Sequence, residues 1–150
     1  MNVNYYMKQA IIEANKALLK NEVPIGGIIV DNNSKKIISR AYNQINSLNN
    51  SINHCEISLI FKACKKISSK YLHNTSIFIT LEPCTMCASA ISESHISNVY
   101  FGAYDEKNGG LEKFKLALGR NRVFVPQYYG GIFEDECKKL LKEFFKNKRR

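Results

Sequence analysis

Two cysteines three positions apart, Cys84 and Cys87, follow the β-branched run Ser76 to Leu81, with Pro83 just before them. Proline suits the first turn of a helix and cannot continue a central strand, so the pair opens a helix with both thiolates turned to one side. Upstream, His54 can supply a third zinc ligand. Structural zinc sites are usually closed by four protein ligands, whereas three leave a position for water, the mark of a catalytic site. Glu56, two residues after His54, is the candidate general base beside that position. A lone histidine at a helix start is usually a cap, but Glu56 on one side and the cysteine pair on the other favour ligation here.

The elements that must position these groups follow from hydrophobic spacing. Asn4 to Lys20 carries Tyr5, Ile12, Leu18 and Leu19 among polar residues, with Ala10, Ala14 and Ala17 permitting close approach, which predicts an amphipathic helix ended by Val23-Pro24. Ile25 to Val30, the turn Asp31 to Ser34 and Lys36 to Arg40 predict a hairpin at a sheet edge. Its Gly26 and Gly27 fit either tight packing or close approach of backbone to a ligand. Asn46 to Asn53 reads as the loop that delivers His54. His54 to Lys70 has Ile57, Ile60, Phe61, Cys64 and Ile67 at helical spacing, which predicts a helix with that face buried. Tyr71 to Asn74 connects it to the central strand Ser76 to Leu81, and His73 within the connection is the nearest candidate for a fourth ligand.

A helix over Cys84 to Ser92 and a strand over Ser97 to Phe101 come next, then a loop from Gly102 to Gly110 at the strand's carboxyl end, where α/β folds place ligands. Lys113 to Leu118 suggests a short helix, and Arg120 to Gln127 a final strand ended by Pro126. Phe133 to Arg150 places Phe133, Cys137, Leu140, Leu141, Phe144 and Phe145 on one face and lysines on the other. Strands interleaved with helices predict an α/β protein, a three-layer α/β/α sandwich.

At 150 residues the chain suits one domain spanning 1–150. Met1 to Lys8 lacks the apolar run of a signal peptide and no stretch approaches the roughly 18 apolar residues of a membrane span, so a cytoplasmic location is expected. Five cysteines without an export signal argue against a disulfide framework and for metal binding by the pair at 84 and 87. Cys64 and Cys137 read as small core residues. Cys55 sits between ligand and base, about a quarter-turn away from His54 on a helix. The net charge of +9 favours a polyanionic partner, although a lysine-rich source proteome would produce the same total. Distribution says more: Lys138, Lys139, Lys142, Lys146, Lys148, Arg149 and Arg150 crowd the C-terminal helix.

His54-x-Glu56 followed by Pro83-Cys84-x-x-Cys87 resembles the signature of the zinc-dependent nucleobase deaminases, the cytidine/deoxycytidylate deaminase superfamily. Around it, Glu22-Val23-Pro24-Ile25-Gly26, Tyr42-Asn43, Thr80-Leu81-Glu82, Met86, Ala88, Phe101-Gly102-Ala103-x-Asp105-x-Lys107, and Gly131-Ile132 through the basic terminal helix are similar to the bacterial tRNA-specific adenosine deaminases over nearly the whole chain. The resemblance implies a cytidine-deaminase-like fold with a mixed five-stranded sheet. It further implies Zn2+ on His54, Cys84 and Cys87, with Glu56 moving a proton from water to the ring and the leaving ammonia as adenosine becomes inosine. The implied substrate is the wobble adenosine of a tRNA anticodon loop, bound by a homodimer. Asn43 would hydrogen-bond the purine, Asp105 and Lys107 would contact ribose and backbone, and Phe145 and Arg149 would hold flipped nucleotides.

The chain departs from that pattern at Asn53 and Cys55, where small residues are usual, and at Tyr104, where some relatives carry a basic residue. The gap at Tyr104 suggests stacking in place of charge. Two rivals follow. One is a free guanine or cytosine deaminase, which would not need the basic tail. The other is a zinc-stabilised RNA-binding protein, which would leave Glu56 and the open ligand position unexplained.

Overall fold

The computed structural model describes residues 1–111, 113 and 124–149. The elements in chain order are α1 (Val3–Leu19), β1 (Gly26–Asp31), β2 (Ile37–Tyr42), α2 (Cys55–Ile67), β3 (Thr75–Leu81), α3 (Thr85–Glu93), β4 (Asn98–Ala103), β5 (Gln127–Tyr129) and α4 (Glu134–Lys148). Beyond Lys113, the short helix expected to Leu118 lies outside the described residues, as do residues 120–123 of the expected last strand.

The strands form one mixed sheet in the order β2-β1-β3-β4-β5. β1 runs antiparallel to both β2 and β3, while β3, β4 and β5 are parallel. Gly27 pairs with Ile79 and Leu81 with Ala103, so the start of β1 and the ends of β2, β3 and β4 share one edge of the sheet. That edge is where the histidine loop, the cysteine turn and the Asp105 loop emerge.

Alternation along the strands sorts side chains into two cores. Ile29, Ile77, Ile79, Val99 and Phe101 face Leu59 and Ala63 of α2 and Ala88 and Ile91 of α3. Ile28, Val30 and Phe78 face Tyr6, Met7, Ala10 and Ile11 of α1 and Cys137 of α4. The result is the expected three-layer α/β/α sandwich. β3 is buried from Thr75 to Thr80 because both helical layers cover it.

Both glycines of β1 serve packing. A Cβ on Gly26 would lie 2.1 Å from the backbone nitrogen of Ala14, and one on Gly27 would lie 2.7 Å from the carbonyl of Phe78. The close seat of α1 on Gly26 also decides which face of that helix is buried. Ala10, Ala14 and Ala17 face the sheet with Tyr6, Met7 and Ile11, while Tyr5, Ile12 and Leu19 point outward, contrary to the sequence expectation.

In α2 the expectation is overturned in the same way. Cys55, Glu56, Leu59 and Ala63 form its buried face, whereas Phe61 is 69% exposed and Ile67 is exposed as well. Ile57, Ile60 and Cys64 are only partly covered, so Cys64 is not the core residue expected. The helix has two apolar stripes, and the one with the smaller residues fits against the sheet. The last strand also differs: β5 follows Pro126 instead of ending there, which suits a residue without an N–H at the entrance to an edge strand.

Candidate metal centre and active site

His54 is the residue before the first turn of α2. Its backbone is extended and its side chain makes no capping hydrogen bond, so the ring is available for other work. Cys84 holds the equivalent position before α3, and Cys87 lies in the first turn of that helix. The sheet edge thus brings two helix starts together. His54 Nδ1 is 3.7 Å from Cys84 Sγ and 3.6 Å from Cys87 Sγ. The three ligand atoms lie within 4.8 Å of one another.

These separations fit zinc. With Zn–S bonds of about 2.3 Å and Zn–N bonds of about 2.0–2.1 Å at tetrahedral angles, the N···S edge is about 3.6 Å. The electrostatics fit as well. The Cys84 thiol is pulled down to about 5, first by the hydrogen bond it receives from Cys87, against the opposing effect of burial, with the backbone N–H groups of Cys87 and Met86 and the charge of His54 assisting. The same hydrogen bond, with burial, pushes the Cys87 thiol up, so the pair holds one negative charge on Cys84 and a proton on Cys87 that metal binding would displace.

Glu56 lies in the first turn of α2 and is 5% exposed. Burial raises its pKa above the ordinary carboxyl value, and the neighbouring Cys84 charge pushes in the same direction. It also engages the Cys87 thiol. A carboxyl beside an open ligand position, with its proton affinity increased, is suited to accept a proton and return it.

Two loops frame this centre. On one side, Asn43 follows β2, is buried, and donates its backbone N–H to the Ile25 carbonyl at 2.9 Å. Its side chain hydrogen-bonds to none of the described residues. On the other side, Asp105 Oδ1 accepts the backbone N–H groups of Lys107 and Asn108 at 3.2 and 3.0 Å, which closes the turn after β4 and leaves Lys107 exposed. Glu82 fastens that turn by accepting the Asp105 N–H at 3.1 Å. Gly110 donates to the Pro83 carbonyl at 2.9 Å, and Gly109 bridges to Cys84. The Asp105 loop is thereby laid along the cysteine turn.

Some expectations do not survive. Among the described residues the metal-ligand group contains only His54, Cys84 and Cys87. His73 lies before β3, at the opposite end of the strand from Cys84, with its ring against Tyr71 and His95, so it is not a fourth ligand. Cys55 is turned away and donates its S–H to the Ala41 carbonyl at 3.2 Å. Asn53 is half-buried, and its Nδ2 has no hydrogen-bond partner among the described residues.

Phe145 lies in the last turn of α4 and Arg149 caps its C-terminus, and Phe145 is 49% exposed, outside the buried face assigned to it from spacing. The end of α4 forms a cleft of about 470 Å³ with Leu18 and Asn21 at the end of α1. Sequence reasoning gave no role to Glu22 or Glu82. Their signal was a carboxylate beside apolar residues, Glu22 in the connection before β1 and Glu82 directly after β3, where a charge needs a reason.

Residues 1–149 match the family model of the MafB19-like deaminases. A tRNA-specific adenosine deaminase of Rickettsia bellii (strain RML369-C) is 43% identical over 141 residues, covering 93% of this chain and 97% of the relative. A solved structure from studies of A-to-I editing by tRNA:A34 deaminases at the wobble position is 35% identical with a TM-score of 0.85, over 91% of this chain and 99% of the other. A guanine deaminase from Nitrosomonas europaea is similar in fold, with a TM-score of 0.80 at 15% identity over 94% and 83% of the two chains.

Proposed function

The chain belongs to the MafB19-like deaminases and, within them, to the tRNA-specific adenosine deaminases, and from that premise we propose how its residues convert adenosine to inosine at the wobble position of a tRNA anticodon loop. The observation that carries the reading is the His54, Cys84 and Cys87 group with buried Glu56 beside it.

His54 Nδ1 and the two cysteine sulfurs would hold Zn2+. Bound there, the ion would supply Lewis acidity that makes water a stronger acid and nucleophile near neutral pH. Glu56 takes one proton from the water as the water oxygen bonds to C6 of adenine, and hands that proton to the ring nitrogen. It then carries the second proton, from the new hydroxyl, to the amino group, whose bond to C6 breaks as it leaves as ammonia. Burial raises its proton affinity, which supports a group that both takes and returns a proton. The Asn43 side chain, unengaged by the described residues, hydrogen-bonds the purine. Asp105 and Lys107 meet the ribose and backbone from the opposite loop. Phe145 and Arg149 hold flanking nucleotides by stacking and by charge, and the lysines of α4 add phosphate attraction.

We also propose a homodimer. The outward stripe of α2, with Ala90 of α3, lines an apolar groove of about 760 Å³ that includes Ile57, Ile60, Phe61 and Cys64. Apolar side chains in a contiguous patch of this kind mark an interaction surface, and a second copy of α2 is complementary to it. Among the described residues no helix is long and apolar enough to cross a membrane, and a tRNA substrate supports the reading of a cytoplasmic location.

The test incubates zinc-loaded protein with anticodon stem-loops carrying adenosine at the wobble position, beside free adenine, guanine, cytosine and their nucleosides, with products followed by mass. Inosine in the stem-loop is expected. Turnover of a free base with untouched RNA would refute the reading. Glu56→Gln should keep its zinc and lose about 10²–10⁴-fold in kcat. The free-base alternative shares the same zinc signature, with Asn53 and Cys55 as its departures, and the likeness to the guanine deaminase concerns fold alone.

A further inference from the structure

Glu22 lies between α1 and β1 and is 1% exposed. Its carboxylate accepts the Ser47 N–H at 2.6 Å, the Ser47 hydroxyl at 2.7 Å and the Asn46 N–H at 3.3 Å. Among the described residues no cation lies within ion-pair distance of it. A buried carboxylate without a counter-charge is costly unless its oxygens are satisfied by donors. Here the donors all belong to one loop.

That loop, residues 44–53, has no regular structure, and its side chains from Asn46 to Ile52 are exposed. Its other hydrogen bonds are local: Leu48 to Gln44, Asn50 to Ile45, Asn53 to Asn50. Among the described residues, Glu22 is the one side chain from outside that hydrogen-bonds to it. The flanks are held separately. Asn43 is tied to Ile25, while His54 accepts from Ser58 in the first turn of α2, and Cys55 is tied to Ala41. Glu22 therefore fastens the middle of the segment that joins the proposed purine contact to the candidate metal ligand.

We infer that Glu22 is a positioning residue: it holds residues 44–53 as a fixed rim between Asn43 and His54, so that RNA meets a preformed wall. This inference rests on the proposed function for its substrate. A preformed rim spares the RNA the cost of ordering the loop on binding. Because the ligands are anchored on α2 and α3, loss of the tether loosens the rim and leaves the metal centre in place. The kinetic consequence falls on binding more than on chemistry.

The experiment compares the full chain with Glu22→Gln, which keeps the shape of the side chain and places an amide where the loop needs an acceptor. Amide hydrogen exchange should accelerate at residues 44–53 and leave β3 unchanged. The visible absorption of the Co2+-substituted protein should match that of the unaltered chain. With the stem-loop, KM should rise about tenfold while kcat stays within about threefold. A lowered melting temperature with unchanged KM and unchanged loop exchange would overturn the inference, because it would describe a core residue. If Glu22→Gln does not fold, Ser47→Ala removes one donor. Faster exchange at Asn46 and Ser47 supports the tether, and unchanged exchange overturns it. Exchange and cobalt absorption are read without RNA, so failure of the unaltered chain to deaminate the stem-loop would count against the proposed function and not against the tether.

Discussion

Replacing Gly110 by alanine perturbs the candidate metal centre without substituting a ligand. Among the described residues Gly131 is the one glycine with positive φ, so alanine at 110 meets no backbone penalty and acts through space alone. Its Cβ would lie 2.1 Å from the Thr85 nitrogen and 2.4 Å from the Cys84 carbonyl carbon. Reaching an ordinary contact of about 3.4 Å requires the Asp105 loop and the cysteine turn to separate by roughly 1.3 Å. The Gly110 to Pro83 hydrogen bond would be lost in the process. Metal sites hold their bond lengths to within about 0.2 Å. A turn displaced by several times that distance should weaken zinc about ten- to a hundredfold, with about 1–3 kcal/mol of general destabilisation from overpacking. Competition against a chromophoric chelator gives the affinity, and thermal melts with and without zinc separate the metal effect from the packing effect. Zinc affinity within twofold of the unaltered chain would refute the coupling between this loop and the ligand turn.

Other consequences are open to direct measurement. Phe61→Glu puts a charge into the outward groove of α2, and sedimentation should show a monomer where the unaltered chain is a dimer; a monomeric unaltered chain would remove the basis for the interface. Arg149→Ala should weaken stem-loop binding and reduce the slope of log affinity against log salt by about one unit, whereas Phe145→Ala should weaken binding with the slope intact. Chelation should expose Cys84 and Cys87 to an alkylating reagent while Cys55 and Cys137 stay unmodified in the folded protein, as mass mapping would report. Protection of all four after chelation would contradict the assignment of the pair as ligands.

The motif residues were legible in the sequence because their chemistry is carried by residue type and spacing. A proline followed by two cysteines one helical turn apart can be read locally, and so can the fully apolar run of β3. The order of helices and strands followed from the same periodicities. What periodicity did not reveal was orientation. Both α1 and α2 carry more apolar residues than one buried face requires, and the face chosen in each depends on close fit to β1 and β2, which spacing alone does not encode. Tyr5, Ile12 and Phe61 looked like core residues for that reason. Pro126 was read as the end of a strand because its lack of an N–H marks a boundary without saying on which side the strand lies. The roles of Glu22 and Glu82 were hidden for a different reason. Each carboxylate answers backbone donors more than twenty positions away, and no side-chain pattern records such a pairing.

The arrangement of α2 bears on how much change the protein tolerates. Its first turn borders the candidate metal centre, Leu59 and Ala63 serve the sheet, and Ile57, Ile60 and Phe61 line the outward groove. Few positions on the helix are left without an obligation, chiefly Ser58 and Lys66, since Lys62 donates to the Arg40 carbonyl and Lys65 lines the groove. A substitution scan along α2 should therefore separate into interleaved stripes with distinct phenotypes: turnover lost with folding intact, folding lost outright, or pairing lost with the fold preserved. Neighbours in the sequence would then differ more in phenotype than residues one turn apart, so the scan would reveal the helix's orientation, which hydrophobic spacing left ambiguous.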